Sequence, residues 1–460
     1  MIDCTTQTVS IPTLHPKPIE VHFDQPQSSS DGGALLLKAA DQAMGLTATL
    51  AEGIRDGRQA GKVKHSILDL VRQRVFALAC GYADGNDADH LRLDPVHQVL
   101  AEKNPYPSQV LGSQPTLSRF ENSVRGTELL KMSLEMARQI LRQQAQRLQG
   151  QVHQVTIDID GTEDPAHGEQ EGACFNGYYD STCFQPLLTF VTFNEEAEQY
   201  LVASLLRPGT AGAQGTSYVL KKLIPMLWDQ FPGVKILVRL DGGFSQPDLL
   251  DRLDVWAELC HLEYVVGMAG NTRLRKASQA DMERAMEQCR QQHDTVSLYG
   301  ETRYQAGSWA APRRVIYKAE VVWACGKLPR ENDRYVITNR SDSPEAMYSL
   351  YRQRGDSENR IKELKGDLEM DRTSCSDWEA NQFRLLLTAA AFSLWQYVRS
   401  WAVKTEAAHW QVGTLRERLV KIGTRVKSSV RRLLFFLPFS YPWQELWCTL
   451  MSRLQLAASQ

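Results

Sequence analysis

The stretch Val155-Thr156-Ile157-Asp158-Ile159-Asp160 decides the fold class, because apolar and polar residues alternate along it. Such alternation predicts a β-strand, since successive side chains of a strand point to opposite faces of a sheet. A second stretch, Lys235-Ile236-Leu237-Val238-Arg239-Leu240-Asp241, is apolar enough to predict a buried strand. Helical patterns at 217–231 and 249–259 flank this second strand. Strands that alternate with helices indicate an α/β fold.

The periodicity also suggests how the rest of the chain is divided. Residues 1–30 are polar and contain prolines, so we expect a flexible arm there. Helical spacing of apolar residues continues from there to about residue 150 and predicts a helical domain. The remaining assignments are an α/β core at 151–269 and 336–400, a β-rich insertion at 270–335, and a basic, helical C-terminal region at 401–460.

The composition is that of a globular protein with two to four domains, since the chain has 460 residues, 43% of them hydrophobic and 23% charged. No uninterrupted apolar run approaches the roughly 18 residues that a membrane span needs, and the N-terminus lacks a signal-peptide pattern. The nine cysteines form neither a CxxC pair nor a Cys/His cluster, which predicts reduced thiols. We therefore expect a cytoplasmic protein.

The distribution of charge matters more than the formal net charge of −2, which alone argues against a protein that coats DNA. Residues 399–432 contain nine Lys or Arg against two Glu, so this stretch carries about +7. We expect DNA contacts there from Lys421, Arg425 and Lys427. An ordinary solvated helix face explains any one of these cations equally well.

A second candidate for DNA binding lies in the N-terminal half, where residues 113–121 resemble a tight turn that enters a short helix. Small helical units of this kind often bind DNA as helix-turn-helix modules, and Arg119 is the cation that this one would offer. Simple packing of helices is the alternative explanation.

Two acids stand at the ends of predicted strands. Asp160 is followed by Gly161-Thr162, and Asp241 by Gly242-Gly243. Carboxylates at the ends of neighbouring strands can reach one Mg²⁺, which prefers oxygen ligands. Glycine after each acid leaves room for a phosphate. The alternative is an ordinary turn, because Asp-Gly is a common turn signal. Asp158 has the same strand parity as Asp160, so it could face the same site.

A helix predicted to run from Pro344 to about Lys365 supplies a third acid. Along it, Tyr351, Arg354, Glu358 and Lys365 recur at i, i+3, i+7 and i+14, which places them in one stripe. This stripe is too polar for a core face. A solvent-exposed, salt-bridged face is the alternative, since Arg354 and Glu358 are an i, i+4 pair.

These residues resemble a known family. The spacing Tyr351-x-x-Arg354-x-x-x-Glu358-x-x-x-x-x-x-Lys365 is similar to the YREK signature of bacterial insertion-sequence transposases with a DDE catalytic triad, the insertion-sequence-four superfamily. Several further blocks resemble its thirteen-eighty family, and together the blocks run from about residue 30 to 432. They are 158–165, 167–172, Cys80-Gly81-Tyr82, 86–89 and 114–119.

The resemblance implies an RNase H-like catalytic core with a β-rich insertion, flanked by helical N-terminal and C-terminal domains. It implies that Asp160, Asp241 and Glu358 ligate two Mg²⁺ ions, for which Mn²⁺ can substitute. The implied reaction is cleavage at transposon ends and joining of the 3′ ends to target DNA, often through a hairpin. Partners would be double-stranded DNA, in the form of terminal inverted repeats and target, and a second subunit of a homodimer.

The resemblance also implies roles for residues around the acids. Tyr351, Arg354 and Lys365 would bind phosphates near the cut. Relatives that form hairpins stack a flipped base on an aromatic ring, for which Trp323 is the first candidate and Trp309 the second. Two other functions use the same sequence features. One is an RNase H-like nuclease that does not join DNA, and the other is a catalytically inert, transposase-derived DNA-binding protein.

Overall fold

The computed structural model describes residues 8–11, 16–105 and 109–458. Helices dominate the N-terminal third and recur around the sheet. They are α1 (Leu35–Met44), α2 (Leu46–Glu52), α3 (Ile67–Ala79), α4 (Asp87–Leu91), α5 (Pro95–Leu100), α6 (Gln114–Glu121), α7 (Gly126–Leu148), α8 (Thr216–Gln230), α9 (Pro247–Cys260), α10 (Thr272–Gln292), α11 (Pro344–Arg352), α12 (Asp356–Gly366), α13 (Trp378–Trp401), α14 (Val412–Leu415) and α15 (Gln444–Ala458).

The strands cluster in the second and third quarters of the chain. They are β1 (Thr8–Ile11), β2 (Ile19–His22), β3 (Ser28–Ser29), β4 (Gln154–Gly161), β5 (Asp164–Pro165), β6 (Cys174–Asn176), β7 (Ser181–Phe184), β8 (Leu187–Phe193), β9 (Tyr200–Leu205), β10 (Lys235–Leu240), β11 (Glu263–Met268), β12 (Val296–Tyr304), β13 (Arg313–Val322), β14 (Arg330–Thr338), β15 (Thr424–Ser428) and β16 (Leu433–Phe436).

An eight-stranded mixed sheet organises the fold, in the order β12-β13-β14-β11-β10-β4-β8-β9. Strand β10 is parallel to both β4 and β11, and the remaining neighbours are antiparallel. The protein is therefore a mixed α/β structure, as the alternation of strand and helix patterns predicts. Parallel strands need long crossovers, and α8 and α9 supply them here.

Helix α13 forms the centre of the hydrophobic core. Almost every side chain from Ala380 to Arg399 is buried. The buried polar ones include Asn381, Gln382 and Gln396, which hydrogen-bond to neighbouring backbone groups. It packs on β9, α1, α3 and α7, and the indole of Trp395 donates to the carbonyl of Ala79 at 3.0 Å. The core is thus continuous from the N-terminal helices to the sheet.

The segment expected to be a β-rich insertion begins with a helix that the sequence analysis did not identify. Helix α10 occupies 272–292 before the strands begin. The three strands β12, β13 and β14 do not form a sheet of their own, because β14 pairs with β11 and so extends the main sheet. The boundaries of the domains remain a proposal.

The C-terminal region is not wholly helical, so the expectation of a helical tail is wrong for 424–436. Strands β15 and β16 form a hairpin there, and β15 also pairs with β3 near the N-terminus. Alternating burial of Thr424 and Val426 explains the strand, since both point inward while Arg425 and Lys427 point outward. Residues 28–29, expected to belong to a flexible arm, are held by this pairing.

The helix predicted from Pro344 to Lys365 is interrupted. Helix α11 ends at Arg352, a 3₁₀ turn covers Gln353–Gly355, and α12 follows. Arg354 therefore lies in the 3₁₀ turn, where the Ser357 hydroxyl donates to its carbonyl at 2.8 Å. The single stripe of one continuous α-helix is thus replaced by two helical segments that meet at Arg354.

Candidate active site

The register between β4 and β10 brings two acids side by side. Ile159 pairs with Leu240 in this parallel ladder, so the next residues, Asp160 and Asp241, come to the same edge of the sheet. Asp241 begins a 3₁₀ turn, and its Oδ1 accepts a hydrogen bond from the Gly243 backbone at 2.8 Å. Asp160 and Asp241 thus lie at the same edge of the sheet and line the same pocket, as the positions of the predicted strand ends suggested.

A pocket of about 940 Å³ opens at this edge. Asp160, Asp241 and Glu358 all line it. Arg354 and Lys365, the expected phosphate ligands, line it as well. The pocket thus gathers three acids from β4, the end of β10 and α12, together with cations from the segment that carries Glu358.

Arg354 lies between two of the acids. Its Nη1 donates to Asp160 Oδ2 at 2.8 Å, and its Nη2 donates to Glu358 Oε1 at 3.3 Å. The i, i+4 pair of Arg354 and Glu358 is therefore formed where both residues line the pocket, and the Glu358 side chain is 53% exposed there. The single positive charge of the guanidinium offsets part of the negative charge of Asp160 and Glu358, two of the three acids predicted to bind metal.

Asp160 is held in an environment that opposes its charge. Burial raises the pKa of its carboxyl to about 6, the positive charge of Arg354 acts against this rise, and the negative charge of Asp241 adds to it. The side chain also accepts from the Gly161 backbone at 2.9 Å. A buried carboxylate beside a second carboxylate is stabilised by any cation that enters the pocket.

Tyr351 lies next to Arg354 and Asp241 but is not among the residues that line the pocket. A Cβ atom on Gly267 would lie 2.4 Å from the Tyr351 hydroxyl and 2.9 Å from the Gly242 nitrogen, so glycine is required for this close approach. Burial raises the pKa of the Tyr351 hydroxyl, and nearby Asp241 raises it further. The hydroxyl thus stays protonated beside the loop that carries Asp241.

Lys365 reaches the other side of the pocket. Its ammonium donates to the carbonyl of Glu163 at 2.8 Å and lies 3.6 Å from Asp371. It is held in a fixed position by these groups and keeps further donors for a ligand.

Asp158 faces a different set of partners, which answers the question left by its strand parity. Arg239 donates to both of its oxygens, at 2.8 and 2.7 Å, and Gln199 donates at 3.0 Å. Arg239 also donates to the carbonyl of Leu350 and to Gln353. Asp158 and Arg239 therefore tie the sheet to the end of α11.

Two aromatic residues at the pocket were missed by the sequence analysis. Tyr178 is 88% exposed, and its ring meets that of Tyr179 edge-on at 5.0 Å. The amide of Asn176 fixes their turn, because its Oδ1 accepts from both tyrosine backbones and its Nδ2 donates to the carbonyl of Gly209. Tyr178 thus offers an exposed ring at the pocket.

Arg207 also lines the pocket and was missed. It is only 3% exposed and donates to the carbonyls of Gln185, Gly212 and Gln214. Its Nη2 lies against Gly161 and has no hydrogen-bond partner among the described residues. Burial lowers the pKa of this guanidinium to about 10, while Asp160 opposes the shift. No local sequence pattern marks this residue, which follows β9.

The two tryptophans proposed for base stacking lie outside the set of residues that line the pocket. Trp309 is buried, with Tyr304 edge-on at 5.4 Å and the Arg313 guanidinium over its ring. Trp323 packs against His293 at 4.9 Å between ring centroids. The structure therefore does not bring either ring to the three acids.

The expected DNA-binding cations lie in two regions. Arg119 is exposed on α6, and Arg425 and Lys427 are exposed on β15. Lys421 differs, because its ammonium is 2.8 Å from Asp31 and 4.1 Å from the centre of the Tyr82 ring. Lys421 thus forms an ion pair within the protein while its side chain stays 32% exposed, and its contact with DNA remains a prediction.

Asp31, Cys80 and His97 form a buried cluster, and in the described part of the chain only these three place possible metal-ligating atoms within 4.8 Å of one another. An ion pair explains them better than a metal site. His97 lies 2.9 Å from Asp31, whose other oxygen contacts Lys421, and burial raises the pKa of the Cys80 thiol well above its usual range. A thiol that stays neutral is a poor metal ligand, because the thiolate is the form that binds metal.

The carboxylate oxygens of Asp160, Asp241 and Glu358 do not all lie within 4.8 Å of one another. As they stand, the three acids are too far apart to bind one ion together. Their chemistry nonetheless fits a hard divalent cation, because all three donors are carboxylates and because a cationic guanidinium already bridges Asp160 and Glu358.

Two carboxylates at one sheet edge, a third on α12 that lines the same pocket, and basic side chains around them are the arrangement expected for a DNA-processing enzyme of the DDE class. The model of the family Transposase DDE domain group 1 matches residues 11–459, so the chain belongs to this family.

A search of curated proteins gives no match. Among solved structures, the chain is similar to a piggyBac transposase, determined by cryo-EM as a synaptic complex with hairpin DNA. The identity is 11%, the alignment covers 90% of this chain and 82% of that one, and the TM-score is 0.41. None of the helices in the described ranges combines the length and hydropathy of a membrane span.

Proposed function

We propose that this DDE transposase cuts the ends of a bacterial insertion sequence and joins the 3′ ends to target DNA, with Asp160, Asp241 and Glu358 as its catalytic acids. The convergence of these acids in one pocket, from positions far apart in the sequence, carries the proposal. The spacing of Tyr351, Arg354, Glu358 and Lys365 supports the assignment to the insertion-sequence-four superfamily.

The order of the strands supports an RNase H-like core within this chain. Strands β9, β8 and β4 form an antiparallel group, and β10 and β11 continue it in parallel with β4. Helices α8 and α9 supply the crossovers, and α12 carries the last acid after β14. In this proposal residues 270–335 are an insertion that widens the sheet.

The three carboxylates would hold Mg²⁺, or Mn²⁺ in its place. When bound, a pair of such ions supplies Lewis acidity to both the attacking and the leaving oxygen of an in-line phosphoryl displacement. Asp160 and Asp241, side by side at the sheet edge, would bind the metal ions from one side of the pocket. Glu358, more exposed on α12, would complete the site from the other.

The basic groups of the pocket would orient the DNA backbone. Lys365 and the guanidinium of Arg354 offer charged donors to phosphate oxygens, and Arg207 offers its unpartnered Nη2. Tyr351 would fix the loop that carries Asp241. Because these cations come from different elements, a phosphate that contacts several of them is held in one orientation.

The proposed partners are the terminal inverted repeats and a target duplex, with a second copy of the chain in the DNA complex. A hairpin intermediate remains part of this proposal. If a base is flipped during cleavage, Tyr178 replaces the two tryptophans as the ring on which it would stack, since it alone of the three lines the pocket.

A cleavage assay tests the function. Its substrate is the DNA on either side of the coding sequence of this protein, where the terminal repeats would lie. The full chain is incubated with this DNA, a target plasmid and Mg²⁺ or EDTA. We expect Mg²⁺-dependent cutting and joined products. Asp241→Ala should bind DNA and leave it uncut, whereas Asp248→Ala, an exposed Asp outside the catalytic pocket, should cut normally.

The other functions give different products in the same experiment. Cleavage without joined product indicates an RNase H-like nuclease, and binding without any cleavage indicates an inert DNA-binding protein. Robust Mg²⁺-dependent cutting by Asp241→Ala overturns the assignment of the acids.

A further inference from the structure

A two-stranded hairpin near the C-terminus carries basic side chains away from the catalytic pocket. Strands β15 and β16 pair antiparallel from Arg425–Phe436 to Ser428–Leu433. The turn is closed by Ser429, whose backbone and hydroxyl both donate to the carbonyl of Arg432, at 3.0 and 2.9 Å. We call residues 424–436 the basic ribbon.

The base of the ribbon is fixed in the body of the protein. Thr424 and Val426 are buried, and Thr424 pairs with Ser29. Near this pairing, the backbone of Gly33 packs directly against the backbone of Leu419. A Cβ atom on Gly33 would lie only 1.7 Å from the carbonyl oxygen of Leu419, so no larger residue fits there. The tip is free, because the side chain of Val430 is fully exposed, at 105%. A rigid base and a projecting tip suit insertion into a partner.

The ribbon is a concentration of unpaired positive charge. Arg425, Lys427, Arg431 and Arg432 are all exposed, and none forms an ion pair or side-chain hydrogen bond with the residues that the structure describes. The sequence contains no acid from Lys421 to Trp443. Outward-facing Arg425 and Lys427 stand opposite Phe436 and Leu434, so one face combines charge with apolar surface.

We propose that the basic ribbon enters a groove of duplex DNA, with its four cations on the phosphates and Val430 at the base edges. A two-stranded ribbon fits the major groove of B-DNA, which is about 12 Å wide and about 8.5 Å deep. At about 3.4 Å per residue, the two strand steps from buried Val426 to Ser428 extend roughly 7 Å. The turn at 429–432, which carries Val430, projects beyond them, so the reach is comparable with the depth of the groove.

This inference rests on the proposed function and adds a second DNA contact to it. None of the ribbon residues lines the catalytic pocket. The ribbon would therefore hold duplex at a distance from the cut, and its loss should weaken binding of long DNA without removing the chemistry. The walls of the groove are phosphates and its floor includes apolar thymine methyl groups, which matches basic edges and a valine tip.

The test compares the full-length wild type with Arg431→Ala/Arg432→Ala in fluorescence anisotropy on a labelled 60-base-pair duplex, over a range of KCl. The matched control is Lys221→Ala/Arg252→Ala, two exposed cations beside Asp248 and Asp251 on another surface. Thermal unfolding establishes that each variant is folded. We expect the ribbon variant to bind on the order of tenfold more weakly at moderate salt, with a log–log salt slope smaller by about 2. The control should match the wild type.

A second measurement tests the alternative that the ribbon binds lipid: binding of the wild type and the ribbon variant to vesicles of anionic phospholipid. If the ribbon variant loses binding to vesicles and keeps the wild-type DNA affinity and slope, the ribbon is a lipid contact and the proposal is overturned. An unchanged slope with no vesicle binding overturns it as well, while leaving the catalytic assignment intact. If the wild type itself shows no salt-dependent DNA binding, both the ribbon and the transposase proposals fail.

Discussion

The guanidinium of Arg354 donates to Asp160 Oδ2 at 2.8 Å and to Glu358 Oε1 at 3.3 Å, so one side chain bridges the first and last acids of the proposed triad. The bridge satisfies two carboxylates that would otherwise repel each other. A divalent cation that binds these acids must compete with Arg354. Once displaced, the guanidinium is free to contact a phosphate, so metal binding and DNA positioning become linked through one residue.

Arg354→Ala should therefore separate metal binding from catalysis. Loss of the competing cation should tighten binding of Mn²⁺ to the DNA-free protein, measured by calorimetry. The cleavage rate should fall by about 100-fold, the usual effect of removing one charged donor from a reaction centre. Arg352→Ala, an exposed neighbour on α11, is the control and should change neither quantity. Weaker Mn²⁺ binding in Arg354→Ala would contradict the competition.

Among the described residues Arg207 Nη2 has no hydrogen-bond partner, and we expect it to hold a phosphate oxygen when DNA enters the pocket. Arg207→Gln should slow single-turnover cleavage by about 100-fold at saturating DNA, and Arg207→Lys should retain part of the rate. Arg92→Gln is the control, because Arg92 also has an unpartnered nitrogen but lies outside the catalytic pocket. A purely structural Arg207 would lower the melting temperature of the variant and leave the rate of the folded fraction unchanged.

Tyr178 should stack on a base at the cut end. Stacking on an aromatic ring contributes about 1–3 kcal/mol per base, so Tyr178→Ala should lower the cleavage rate by roughly 5- to 150-fold, whereas Tyr178→Phe keeps the ring and most of the rate. A 2-aminopurine at the terminal nucleotide reports stacking directly through its fluorescence. Phe23→Ala removes another exposed ring and should have no effect; the idea is refuted if Tyr178→Ala leaves the 2-aminopurine signal as in wild type.

The sequence predicted the centre of the fold because the decisive signals there are local. Alternation along 155–160 defines β4, and the apolar run at 235–240 defines β10. Parallel neighbours end at the same edge, which accounts for the meeting of Asp160 and Asp241. The position of Glu358 followed from spacing and resemblance, even though the helix proved to be broken at Arg354.

The parts that were missed depend on tertiary contacts or on weak patterns. Helix α10 buries Leu274, Ser278, Met282, Ala285 and Cys289, and small or polar members of this stripe hide the helical period. The ribbon strands are only four or five residues long and are stabilised by pairing with residues almost 400 positions away. The approach of Arg207 and Tyr178 to the acids likewise has no local signature.

Asp164 should give stability a pH dependence that its replacement removes. Its carboxylate is buried, accepts from the Thr373 hydroxyl at 2.9 and 2.8 Å, and has a pKa raised to about 7, mainly by burial, with Asp371 adding and Lys365 and Arg384 opposing. Because the folded pKa lies above the usual value near 3.8, its contribution to stability is complete below about pH 4. That contribution is lost as the pH rises through 7.

Between pH 5.5 and 8 the wild type should lose about 2 kcal/mol of unfolding free energy from this group. Asp164→Asn cannot ionise and keeps an acceptor for Thr373, so urea unfolding at the two pH values should show a smaller loss in the variant. Asp248→Asn, an exposed control, should follow the wild type. Equal losses in wild type and Asp164→Asn would mean that Asp164 is charged throughout this range, and that Lys365 and Arg384 outweigh its burial.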